Sequence, residues 1–183
     1  MADDKYARLL VDRARRMEIY RRINPCDVNL TDNCPTAAEA MFNFLNERPA
    51  RAFCNEIGQG FSHAPNVRFH RAGLERIIRM VQDGPPGNNV VVHATRPPGT
   101  VVGGREMAPD HYFCLVRLGP PENDVFWADC SRPEFAMFFP SRGDTPGNFG
   151  DTIEGMARHN HLGHYEYTRG PFAVVPGPLP GRR

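Results

Sequence analysis

Three residues far apart in the chain carry side chains that could run nucleophilic chemistry together. Cys34 lies in "TDNCPTAAEAMFNFL" (31–45), where polar residues give way to an apolar helical repeat. His111 opens "HYFCLVRL" (111–118), and Asp129 lies near the end of "VFWADC" (125–130). A thiolate attacks acyl carbons and an imidazole ferries its proton. A carboxylate behind the imidazole fixes the tautomer and stabilises the cation. Proline is favoured as the first helical residue, because its missing N–H would be unpaired there. With Pro35 in that place, Cys34 is the N-cap, among free N–H groups and at the positive end of a helix dipole, a setting that favours thiolate. The alternative for Cys34 alone is a small, inert, buried residue.

The elements that must position these groups are legible in the pattern. Residues 4–22 read as a helix through Tyr6, Leu9, Leu10, Met17 and Tyr20. Residues 35–47 form a helix whose Ala38, Met41, Phe42 and Leu45 recur at i, i+3, i+4 and i+7. Leu74, Ile77, Ile78 and Val81 repeat that spacing in a helix over 70–83, with Gly84 placed to end it. The texture then turns to β-branched and aromatic residues: strands at 89–95, 111–118 and 125–130, and a further candidate at 172–175. "GPPEND" (119–124) is a turn, so the second and third strands form a hairpin. Pairing Leu118 with Asp124 sets His111 opposite Ser131 and Phe113 opposite Asp129. His111 and Asp129 become diagonal neighbours on one face, ~7–8 Å apart at the backbone. Trp127 shares that face, as core or as a cleft wall. Cys114 and Cys130 point to the other face, into the core. Helices followed by sheet make an α+β class, and 1–183 reads as a single domain with a Gly/Pro-rich tail at 176–183.

Bulk properties exclude several classes. The formal net charge of +1 gives no broad field, so nucleic acid is not the expected partner. No apolar run reaches a membrane span, and the N-terminus lacks the pattern of a signal peptide, so export would need a dedicated machine or a fused carrier. Five cysteines (26, 34, 54, 114, 130), an odd number without a CxxC pair, argue against a zinc site and a complete disulfide framework, leave at least one thiol free, and fit a reduced compartment at least where the protein acts.

"NCPTAAEAMFNFLNERPARAF", "HYFCLVRL" and "VFWADCS" together resemble the papain-fold toxin domains of bacterial polymorphic toxins and secreted effectors. The likeness covers about residues 29–135. It implies a papain-like core with N-terminal helices packed on an antiparallel sheet. It also implies a Cys34–His111–Asp129 triad that hydrolyses or deamidates amides of host or rival-cell proteins, without a cofactor. Such a protein would be a secreted effector acting in the target-cell cytoplasm, with an immunity protein as a possible partner. Pro35 and the long loop before His111 depart from the pattern. Oxyanion donors would be the Cys34 N–H and an amide from Asn33 or Asn29. The competing readings are acyl transfer of the transglutaminase kind and a degenerate binding or adaptor module.

Other signals lead elsewhere. His159, His161 and His164 in "HNHLGH" do not share one helix face and read as solvated loop residues or a groove wall rather than metal ligands. "GTVVGG" (99–104) lacks a phosphate-cradling pattern and reads as a flexible flap with a possible lid role. The apolar "FAMFFP" (135–140) reads as a cleft wall or partner surface.

Overall fold

A computed structural model describes residues 4–26, 33–52, 67–131, 152–170 and 172. Asn29, Cys54 and the segments 135–140 and 173–183 lie outside them.

The described chain is a mixed α+β fold. Its strands are β1 (His70–Arg71), β2 (Asn89–Thr95), β3 (Val101–Val102), β4 (Arg105–Glu106), β5 (Asp110–Arg117), β6 (Val125–Ala128) and β7 (Gly163–Thr168). Five form one antiparallel sheet in the order β1-β7-β2-β5-β6, and β3 and β4 form a separate hairpin. The helices are α1 (Lys5–Arg8), α2 (Arg13–Ile23), α3 (Cys34–Leu45), α4 (Leu74–Gln82) and α5 (Ile153–His159).

Strand alternation sends apolar side chains to both sheet faces, and each face is covered. Val91, Cys114, Val116, Phe126 and Ala128 pack against α1, α2 and α3. Val90, Val92, Phe113, Leu115, Val125 and Trp127 pack against α4 and α5. The N-terminal helices therefore cover one face, as expected, while α4 and the unforeseen α5 cover the other.

The hairpin register is the expected one: Cys114 faces Ala128, Leu115 faces Trp127, and the Leu118 N–H donates to the Asp124 carbonyl at 2.7 Å. Several boundaries differ. The helix expected over 4–22 is broken at residues 9–12, because Asp12 caps a new start by accepting from the Arg15 N–H at 2.8 Å. His70 and Arg71 belong to a strand rather than to α4, which begins at Leu74. The flap at 99–104 contains part of the β3–β4 hairpin, closed by the Met107 N–H on the Thr100 carbonyl at 2.9 Å. The segment read as loop histidines holds the end of α5 and the first two residues of β7, which inserts between β1 and β2.

Cys114 and Cys130 are buried and donate to the Ala38 and Ala37 carbonyls of α3, each at 3.3 Å. Burial pushes both thiols well above their ordinary pKa. Cys34, Cys114 and Cys130 are free thiols, whereas Cys26 is disulfide-bonded. Among the described residues no helix is long and apolar enough to cross a membrane.

Candidate active site

The site grows from a gap in the sheet. The Arg96 N–H donates to the Pro109 carbonyl, so in β5 the odd-numbered backbone groups face β2 and the even-numbered ones face β6. The Asp110 carbonyl thus points toward β6. In the hairpin register a strand would come opposite Asp110 only at position 132, but β6 ends at Ala128. Side chains stop it there. The Asn24 amide donates to the Cys130 carbonyl at 2.7 Å. The Ser131 N–H, at 2.9 Å, and its hydroxyl donate to Asp129 Oδ1.

The start of α3 fills the gap. Asn33, not Cys34, is its N-cap: the Asn33 carbonyl accepts the first helical bond from the Ala37 N–H at 2.9 Å. Cys34 is the first helical residue and Pro35 the second, where a missing N–H is still without cost. The Asn33 amide donates to Asn24 Oδ1 at 2.9 Å, and Asn24 in turn holds Cys130. This relay ties the head of α3 to the end of β6, and it commits an Asn33 N–H that was a candidate oxyanion donor. The Cys34 thiol, 5% exposed, donates to the Asp110 carbonyl at 3.8 Å, one peptide unit from His111. Among the described residues no hydrogen bond joins the sulfur directly to the imidazole.

His111 and Asp129 meet as the diagonal register requires, with Nε2 and Oδ2 2.7 Å apart. Asp129 is 4% exposed. Burial alone would raise its pKa, but His111 beside it and the bonds from His111 and Ser131 outweigh burial and hold the carboxyl below the ordinary carboxylate value. Trp127 is core: it stacks on Phe113 with ring centroids 3.6 Å apart, and the His111 ring lies 6.4 Å from it at an interplanar angle of 22°. The aromatic stack limits the tilt of the imidazole, and Asp129 fixes its rotation, leaving Nδ1 for proton transfer.

A second histidine was not foreseen. His93 of β2 lies opposite Tyr112 and stacks on it, centroids 4.5 Å apart. Its Nε2 is 2.8 Å from Asp110 Oδ1 and its Nδ1 is 3.5 Å from Glu166 Oε2. Phe69 packs edge-on against both rings. The Tyr112 phenol is raised by burial and then by Asp110, Cys34 and Glu166. The signal in sequence was slight: one histidine inside "NVVVHAT", with partners contributed by β5 and β7.

No cluster of three or more potential metal ligands occurs among the described residues. No protein-family model, curated protein or solved structure matches the chain.

Proposed function

We propose that this chain is a papain-like cysteine hydrolase acting on amide bonds of a protein target, a glutamine deamidase or a protease, with Cys34 as nucleophile, His111 as base and acid, and Asp129 as the orienting carboxylate. The observation that carries this reading is the buried 2.7 Å bond between His111 and Asp129, set where the Cys34 sulfur abuts the strand bearing the histidine. For chemistry the thiol exchanges the Asp110 carbonyl for His111 Nδ1 and gives up its proton there. Thiolate adds to the amide carbon, and the oxyanion takes the Cys34 backbone N–H at the head of α3. The C–N bond breaks as His111 protonates the leaving ammonia or amine. Water, deprotonated by the same imidazole, then hydrolyses the thioester.

The resemblance to toxin domains extends the proposal to a secreted effector that acts in the cytoplasm of a target cell, with an immunity protein as partner. The Cys26 disulfide supports passage through an oxidising space. Mass spectrometry of candidate targets after incubation tests the reaction: a gain of about 1 Da on glutamine marks deamidation and fragments mark proteolysis. Neither product with any target, together with Cys34 alkylation that follows an ordinary thiol titration near pH ~8.5, ends the proposal.

The 5% exposure of Cys34 and its bond to a backbone carbonyl favour a second reading, a binding module that keeps the shape without turnover. In that case Cys34→Ala leaves biological activity intact.

A further inference from the structure

Positive charge gathers on one edge of a chain whose formal net charge is only +1. Where β1 and β7 meet α4, two adjoining depressions of ≈ 500 Å³ and ≈ 330 Å³ share Met80 and Tyr167. Arg68, His70, Arg76, Arg79 and Arg169 stand around them, all exposed. Asp83 is the one acid in the described lining. Arg79 is paired with Glu75, but among the described residues no ion pair holds Arg68, Arg76 or Arg169. The floor is apolar, from Ala72, Ile77 and Met80. β1 is the outermost strand of the sheet and pairs only with β7 among the described strands.

We propose that this edge docks an acidic, extended segment of a partner polypeptide. An open strand edge offers backbone hydrogen bonds to a chain laid beside it. Every second side chain of such a chain shares one face, so a carboxylate can reach the arginines, whose forks match carboxylate geometry, while an apolar side chain two residues further on meets the floor. A second copy of this protein presenting the same edge would bring arginines against arginines, so self-pairing there is opposed. Three strand spacings separate β1 from β5, roughly 14 Å, so an occupant leaves Cys34 and His111 uncovered. The inference goes beyond the hydrolase reading and does not depend on it.

The test is fluorescence anisotropy of the full chain with a fluorescein-labelled peptide in which Glu and Val take turns at every second position with Ser between them, so that both share one strand face. A Lys/Val peptide and a single-stranded oligothymidylate serve as comparators. The Glu/Val peptide is expected to bind best. Arg76→Glu with Arg169→Glu should weaken it at least about tenfold, and the paired Arg→Lys changes only about threefold. Amide exchange at residues 68–71 should slow on binding. Thermal melting checks folding, with the single variants Arg76→Gln and Arg169→Gln replacing the double reversal if that unfolds. Equal binding of the Lys/Val peptide, tighter binding of the oligonucleotide, unchanged exchange at β1, or indifference to the arginine changes each overturn the proposal. Cys34 alkylation rates, which these arginine variants should leave unchanged, report separately on the hydrolase.

Discussion

Two histidines flank the same pair of strands and are set for different work. His111 faces α4 and α5, its side chain 11% exposed, with one carboxylate on one nitrogen. His93 lies on the opposite face, 18% exposed, with a carboxylate near each nitrogen. Both His93 contacts are hydrogen bonds together only when both nitrogens carry hydrogens, and then neither is left to accept a proton. A single partner therefore makes a histidine an acid–base candidate, and a pair makes it a clamp. His93 holds the side chain of Asp110, whose carbonyl accepts from the thiol, and under the proposed function it positions rather than reacts.

The sharpest way to break this contrast is to remove each ring. His111→Ala should cut turnover by about 10²–10⁴-fold, measured by the mass assay on a responsive target, with folding retained by circular dichroism. Turnover close to wild type in this variant would erase the distinction between the two histidines.

Next in size is the carboxylate behind the ring. Asp129→Ala leaves a buried histidine unpaired and should cost about 3 kcal/mol in urea unfolding at pH 7. Because the folded pKa of Asp129 is lowered, its contribution is present above the unfolded value near ~3.9 and is lost as pH falls through the folded value. The gap between wild type and variant should narrow in acid.

Glu39 supplies the opposite case. It is 3% exposed in α3, and its Oε1 has no hydrogen-bond partner among the described residues. Burial raises its pKa to about 7. A raised carboxyl favours folding below its unfolded value, and that stability is lost as pH climbs from ~4.3 to about 7. Glu39→Gln should flatten this decline and gain about 1–2 kcal/mol over wild type at pH 8. Unfolding curves at pH 5 and pH 8 check it.

The smallest effect is expected at the clamp. His93→Gln should lower turnover only about two- to fivefold and cost about 1 kcal/mol. A loss equal to that of His111→Ala would make His93 part of the chemistry.

Much of this arrangement was legible before any coordinates. α3 announced itself by its apolar stripe, and the β5–β6 hairpin by its turn, which fixed the register and so the meeting of His111 with Asp129. The relay from Asn33 through Asn24 to the Cys130 carbonyl was not legible, because asparagine is common in loops and nothing local marks one that bridges elements. It moved the helix cap by one residue and occupied an amide expected at the oxyanion. α5 is only seven residues long, and β7 mixes its aromatics with charge, so both fell below the strength at which periodicity speaks.

The early end of β6 has a consequence for how such a gap can be closed. A sheet is a zipper, and here its last teeth on one side are held apart by Asn24 and Ser131. Were those grips loosened, the strand could run on, mesh with the Asp110 carbonyl, and squeeze out the sulfur that now lodges there. What leaves room for the head of α3 is a refusal to pair.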